Sequence, residues 1–342
     1  MYVGLDVHKD FCQACFLDEE GIVVKETSFS TNKNGLEDLV EATRNSKVVM
    51  EASGSSLHIY DALSETCTVT VAHPSKVKVI ASARIKTDKI DARILAQLLR
   101  ADMIPKSFIP VKKHRQARLL VRHRASLVRT RTRIKNQIHA LLTKEGVKVP
   151  FKEAFGKKGI LFLHDVELGE MQRISMNSLL SLLESFNEQI RGFEKRIRDM
   201  ASQDAYAKRL VEMKGVGHLT ALAVSSEVCD VSRFPSYKHF CSFLGLVPSI
   251  HQSGNVERRG HITKQGNNLI RWLLIQDARV AVKHSERFKR KYHRLLAKGV
   301  NENKAIVAIA RNMAVIMYLM LVRNEPYRDE SKGGKPVTSL GR

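Results

Sequence analysis

The chain has 342 residues, a length that suits two or three domains better than one. Lys and Arg number 57 against 35 Asp and Glu, a formal net charge of +22, so the chain is drawn to polyanions, nucleic acid first among them. Hydrophobic residues at 43% are enough for real cores, yet no uninterrupted apolar run reaches the roughly 18 residues of a membrane span, so no membrane partner is expected.

The opening stretch MYVGLDVHKD is charged by its sixth residue, unlike a secretory signal, and the expected location is the cytoplasm. From there residues 1–104 read as α/β. YVGLDV, FCQACFL and GIVVKETSF are three strands in quick succession, an antiparallel meander. NGLEDLVEATR is helical, KVVMEAS a strand, SLHIYDALSE a helix and CTVTVAH a strand, an alternation that adds parallel strands. A meander followed by βαβ units is the order of the ribonuclease H-like fold. Residues 86–101 read as a helix. Cys12 and Cys15 make a lone C-x-x-C inside a strand, where they point to opposite faces, and no second pair completes a zinc site. Reduced thiols are expected.

Pro105 and Pro110 mark a boundary. Residues 112–142 form one long Arg-dense helix without an acidic residue, carrying Arg115, Arg118, Arg122, Arg129 and Arg133 mostly three or four apart. The missing i,i+4 Glu partners argue against a merely solvated face and for contact with phosphate backbones. An apolar stripe of Leu119, Val121, Leu127, Val128, Ile134 and Ile138 remains for packing. Residues 151–165, with Gly156 and Gly159, read as a loop or hinge. Leu179, Leu183, Phe186, Ile190, Phe193, Ile197 and Met200 make a heptad seam, to be paired with the 112–142 helix or with another chain. The expected division is therefore 1–104, a basic and coiled-coil region 105–200, a mainly α-helical region 201–326 and a polar, disordered tail 327–342. Within 201–326, MKGVGHLTA reads as helix, Gly turn, helix, the start of a helix–hairpin–helix in which Gly215 and Gly217 let backbone N–H groups approach phosphate. SYKHFCSFLGLVPS is a short helix ending in a loop. QSGNVERRGHITKQGNN is a polar, Gly-punctuated loop holding Ser253 beside His251, Arg258, Arg259, His261 and Lys264, with Ser249 just before it in VPSI, and it runs into a helix containing Arg271.

Four carboxylates stand out. Asp6 lies within the first strand, Glu51 ends the strand expected beside it, and Asp88 and Asp91 are three apart, on one helix face. Singly each has a plain structural explanation: a turn former, a helix cap, or a first-turn acid favoured by the helix dipole. Jointly they suit divalent cations, which neutralise converging carboxylates and serve phosphoryl transfer.

GLDVHK, MEASG and KTDKIDAR, in that order, resemble the RuvC-like domain of the DEDD transposases of prokaryotic insertion sequences, described as bridge-RNA-guided recombinases. FPSYKHFCSFLGLVPSIHQSGNVERRGHITKQGNNLIRWLL resembles the C-terminal transposase domain of the same family, so the likeness spans nearly the whole chain. It implies an enzyme that cuts and rejoins DNA, with Asp6, Glu51, Asp88 and Asp91 as a tetrad for Mg²⁺, two ions, or Mn²⁺. It implies a serine nucleophile that links covalently to DNA, with Ser253 the first choice and Ser249 the second. It also implies a structured guide RNA, a dimer or tetramer, and nucleic-acid contacts by the arginines above together with Arg258, Arg259, Lys264 and Arg271. The rival readings are a Holliday-junction resolvase that uses water, a non-catalytic nucleic-acid scaffold, and a transcription regulator.

Overall fold

The computed structural model describes residues 1–54, 56–81, 87–253, 256–262 and 266–329, with the backbone alone at 249–259 and 261. Two compact units divide the chain, Met1–Ile109 and Pro110–Arg342, the break falling at the second proline of the expected boundary.

The first unit is a five-stranded sheet with helices. Strands β1 (Tyr2–Val7), β2 (Phe11–Leu17) and β3 (Val23–Ser30) form the meander; α1 (Lys33–Thr43), β4 (Lys47–Glu51), α2 (Ser56–Leu63) and β5 (Thr68–Ala72) follow. The order across the sheet is β3-β2-β1-β4-β5, antiparallel from β1 outward to β3 and parallel from β1 to β5. Period-2 alternation sorts the side chains into two layers. Val3, Leu5, Val48 and Met50 join Leu39 of α1 and Ile59 and Leu63 of α2 on one face. On the other face Val49 and Ala72 pack with Leu95, and Cys15 and Leu17 with Ala92 and Ala96, all three partners on α4 (Asp88–Arg100). Cys12 and Cys15 fall on these opposite faces as free thiols, and burial pushes them up to about 12 and about 11. Between β5 and α4 comes a short helix the sequence reading missed, α3 (Pro74–Ile80), opened by Pro74 at its first turn, where a missing N–H costs nothing.

Among the described residues, the second unit has helices and one hairpin as its regular elements. Helices α5 (Lys112–Lys144), α6 (Lys157–Asp165) and α7 (Glu170–Ala201) come first. They are followed by α8 (Ala205–Val211), α9 (His218–Val228), α10 (Tyr237–Phe243), β6 (Pro248–Ser253), β7 (Val256–Ile262), α11 (Asn268–His284), α12 (Glu286–Ala297) and α13 (Glu302–Arg323). Helices α5 and α7 lie antiparallel, since Ala117 and Val121 share a core with Ile197 and Ala201 while Ile134, Ile138 and Leu142 meet Met176, Leu180 and Leu183. The seam of α7 is thus used within the chain. It shifts by one residue at its start, where Leu180 is buried and Leu179 is only partly covered. On α5 the stripe loses Leu119, which is 70% exposed, and gains Ala117 and Leu142.

Three expectations need correction here. The loop at 151–165 contains α6: Gly159 does not break the chain but lets it fold tightly, because a Cβ there would stand 2.3 Å from the carbonyl oxygen of Ala154. The polar loop after α10 is the β6–β7 hairpin, with Ser253 opposite Val256. The signal was the turn itself: Gly-Asn stands between the two strand segments, a pair that suits a two-residue hairpin loop. Lastly, part of the tail is ordered. The Tyr327 N–H donates to Glu212 Oε2 at 3.0 Å and Asp329 lies 3.5 Å from Lys214 Nζ, while residues 330–342 lie outside the described residues.

Helix α13 has the length and mean hydropathy, 2.1, of a membrane span. Its apolar side chains, Ile309, Met313, Met317 and Met320 among them, are buried in the main core of this unit with α9 and α11, as in the central helix of a globular domain. That core also holds a carboxyl group. Asp277 of α11 is 9% exposed; it receives a hydrogen bond from Thr220, and its Oδ2 has no hydrogen-bond partner among the described residues.

Burial raises the Asp277 carboxyl from 3.8 to about 7. A carboxyl raised on folding holds its proton more tightly in the folded chain. Stability therefore falls as pH rises from 3.8 to about 7, and the loss is complete above that. Asp277→Asn keeps an acceptor for Thr220 and removes the charge. Thermal unfolding should show a higher Tm for the variant at pH 8 and a smaller gap between pH 5 and pH 8 than in the parent chain; an unchanged gap would contradict this account.

Candidate metal centre and nucleic-acid interface

Asp6 stands near the C-terminal end of β1 at an even position, and so on the face that α4 covers. The pairing of Leu5 with Met50 sets Asp6 beside Glu51, the last residue of the neighbouring parallel strand. Helix α4 brings the other two carboxylates. Thr87 caps it, accepting a hydrogen bond from the Ile90 N–H at 3.3 Å, and Asp88 and Asp91 occupy the first turn, where the helix dipole favours negative charge.

Gly4 allows the approach. A Cβ at residue 4 would stand 2.0 Å from the Ala92 carbonyl oxygen and 2.5 Å from the Ala96 nitrogen, so only glycine lets α4 rest directly on β1. The ion pair of Arg93 with Glu26 of β3, 2.8 Å, holds the exposed side of α4 to the sheet edge. In this arrangement Asp6, Glu51, Asp88 and Asp91 line one cavity of about 620 Å³, with Ser75 and Lys78 of α3 across from them. The four carboxylates expected from the sequence thus line one cavity, and His8 lines it with them. His8 Nε2 lies 3.1 Å from Asp6 Oδ2 and 3.3 Å from Asp88 Oδ1. Residue 8 continues the even series 4, 6, 8 just past the strand end, the signal that could have found it.

The electrostatics are those of a crowded acidic site. Burial raises the Asp6 carboxyl; His8 lowers it, and Asp88 and Asp91 raise it again. Oxygen donors that repel one another, with one imidazole nitrogen, are a donor set that fits a divalent cation.

The basic residues divide into two groups. Arg118 is turned inward: its Nε donates to the Ser226 carbonyl at 2.8 Å and lies 3.2 Å from Glu227 Oε2. Arg122 reaches Glu227 Oε1 at 2.6 Å, where Asn267 also donates at 2.9 Å. Arg124 pairs with Glu194 of α7 and Arg131 donates to Asn187. The acidic partners missing from α5 are supplied by α7 and α9, so the absence of i,i+4 carboxylates did not mean unpaired arginines. Arg271, expected to touch nucleic acid, is 9% exposed and donates to Asn268. Gly215, with φ +96°, faces α11, where a Cβ would stand 2.7 Å from the Asp277 carbonyl oxygen. The missing side chain lets α11 pack close to this turn. Gly217 caps α9, with open space where a Cβ would be.

Arg129 and Arg133 are exposed, and Arg115 is half-buried. Arg122 and Arg129 line a second cavity of about 570 Å³ with Phe243, Asn267 and Asn268, next to the two ends of the β6–β7 segment. Arg258 and Arg259 are on β7, opposite His251 and Ile250 of β6, and Ser249 and Ser253 are both on β6. Lys264 lies outside the described residues.

A family model described as a transposase of the DEDD IS110 type matches residues 3–145, and a second, the IS116/IS110/IS902 transposase family, matches residues 207–293. The chain is similar to the transposase for insertion sequence element IS1111A of Coxiella burnetii, 31% identical over 95% of this chain and 91% of the relative. It is also similar to a pilin gene-inverting protein of Moraxella bovis, 24% identical over 95% of this chain and 97% of the relative. The fold, the acidic cavity and these likenesses define an insertion-sequence transposase, an enzyme that cuts and rejoins DNA. Within that class the chain belongs to the IS110 family of DEDD transposases.

Two outcomes follow from the contacts. Gly4→Ala forces α4 off β1 and should cost about 1–3 kcal/mol by overpacking. Divalent-cation binding at the acidic cavity should weaken with it, as read by denaturant unfolding and by titration with Mn²⁺. Glu227→Ala leaves Arg118 facing a buried vacancy and should cost about 3 kcal/mol, the low end for breaking a buried pair because Arg122 is exposed. A loss under 1 kcal/mol in urea unfolding would show that the hub is not structural.

Proposed function

We propose that residues 1–104 act as a ribonuclease H-like, RuvC-like catalytic region in which Asp6, Glu51, Asp88 and Asp91 hold Mg²⁺, with Mn²⁺ as a substitute. The observation that carries this reading is the convergence of all four carboxylates on one cavity at the ends of two adjacent parallel strands. Metal bound there supplies Lewis-acid polarisation of a scissile phosphate. The chain's own groups do the rest. The tetrad fixes the site's geometry, and its rigid seat on the sheet keeps the donors in place before substrate arrives.

Ser253 supplies the nucleophile. Its Oγ forms a bond to phosphorus while the bond to the departing deoxyribose oxygen breaks, and that oxygen leaves with the serine proton. Attack by a new strand end on the phosphoserine reverses the exchange and rejoins DNA. Conserving the phosphodiester in this way suits inversion and transposition, and the name of the Moraxella relative describes a DNA-inverting protein. The exposed arginines Arg129 and Arg133, with Arg258 and Arg259, give the region 105–326 its hold on DNA and on a structured guide RNA. A dimer or tetramer working in the cytoplasm brings the DNA ends together.

The reading predicts separate losses. Asp6→Ala should abolish Mg²⁺-dependent recombination of donor and target DNA while leaving DNA retention in a gel shift within about twofold, because Asp6 adds no phosphate contact. Ser253→Ala should leave no denaturation-resistant protein–DNA adduct. An adduct that persists in Ser253→Ala but is lost in Ser249→Ala would move the nucleophile to the other serine. Cleavage with no adduct in the parent protein would establish water as the nucleophile.

A further inference from the structure

The acidic cavity contains one nitrogen donor that the tetrad leaves without a role. His8 is 40% exposed, so burial does not account for its place, and its ring is held on both sides of the turn that follows β1. The backbone N–H of His8 donates to the Phe11 carbonyl at 2.9 Å, and the imidazole stacks on the Phe11 ring at 4.7 Å between centroids, tilted by 27°. Held in this way, Nε2 faces two carboxylate oxygens at nearly equal distances, 3.1 Å to Asp6 Oδ2 and 3.3 Å to Asp88 Oδ1.

One nitrogen carries at most one hydrogen, which can point well at only one of two oxygens. The near-equal pair of distances fits something else better. Two ligands in adjacent positions of an octahedron with bonds of about 2.1 Å stand about 3.0 Å apart. The ligand atoms of Asp6, His8 and Asp88 all lie within 4.8 Å of one another, as three corners around one cation would.

We propose that His8 is a direct ligand, through Nε2, of the divalent cation held between Asp6 and Asp88. The inference rests on the reading of the tetrad as a metal site and adds a neutral nitrogen donor to it. One consequence is selectivity. Imidazole binds transition ions better than Mg²⁺, whereas carboxylates serve both, so His8 tilts the site toward Mn²⁺. Glu51 and Asp91, in the same cavity, remain oxygen donors that suit Mg²⁺.

The test uses the full-length protein loaded with Mn²⁺ alone. Electron spin-echo measurements should show ¹⁴N modulation from a histidine at bound Mn²⁺, lost in His8→Ala and unaffected by His58→Ala. In parallel titrations His8→Ala should weaken Mn²⁺ about tenfold and Mg²⁺ much less, so the Mn²⁺-to-Mg²⁺ affinity ratio falls. Mn²⁺ bound without nitrogen modulation, or with modulation that survives His8→Ala, would overturn the role of His8 while leaving the carboxylate site standing. No Mn²⁺ bound to the parent protein would overturn the metal site and His8 together.

Discussion

The contact between Gly4 and the backbone of Ala92 and Ala96 sets the position of everything in the acidic cavity. A strand and a helix ordinarily keep their backbones apart by the thickness of a side chain. Here residue 4 has none, and α4 lies against β1 with the Ala92 carbonyl and Ala96 nitrogen where a Cβ would be. The small residues facing it, Ala92 and Ala96, are fully buried for the same reason. The first turn of α4 then overhangs the C-terminal end of β1. Asp88 can share His8 with Asp6 only because the helix sits this low.

Bringing carboxylates together in a half-buried site works against stability, since burial and like charge both disfavour the ionised form of Asp6. The scaffold offsets this with strong apolar layers on both faces of the sheet, where Val3, Leu5, Val48, Val49 and Met50 are fully buried. The strands that carry the acids are the central ones, β1 and β4, each flanked on both sides. Edge strands would leave the same carboxylates on backbone that opens more readily. The second unit solves a different electrostatic problem. It contains an arginine-rich helix of 33 residues that must also pack. Glu227, buried at the end of α9, receives Arg118, Arg122 and Asn267 together, which anchors α5 without burying an unpaired charge. Of the two arginines in that hub, Arg118 is largely covered and Arg122 stays exposed.

Much of this could be read in the sequence, and the reasons for success and failure are local. The strands of the first unit alternate with period 2, so the faces of Asp6, Glu51, Cys12 and Cys15 followed from counting. The i,i+3 spacing of Asp88 and Asp91 fixed a shared helix face. His8 obeys the same parity rule, but it lies just past the strand end and is not an acid, so the carboxylate pattern alone does not reveal it. The errors in the second unit come from features whose meaning depends on tertiary partners. Gly215 looks like a chain breaker and is a close-packing site, because the atoms that exclude a Cβ belong to α11, about 60 residues on. Arg118 and Arg271 look like phosphate ligands, but the partners of Arg118 lie more than 100 residues along the chain, and Arg271 itself is buried. No periodicity within α5 could reveal Glu227.

The proposed chemistry places its groups on backbones of very different rigidity. The tetrad stands on the middle of a five-stranded sheet and on a helix locked to it. Ser253 stands on β6, whose only strand partner among the described residues is β7. A two-stranded sheet is marginal by itself and takes its order from what it is laid against. For a recombinase this asymmetry has a use. A metal site must be formed in advance, because misplaced donors repel rather than bind. A nucleophile that becomes covalently joined to DNA is safer when only its substrate completes its positioning, since a serine held ready would attack any phosphate that entered. The cations on β7, Arg258 and Arg259, lie on the one strand that pairs with β6, so phosphate drawn to them is drawn to the strand that bears the serine.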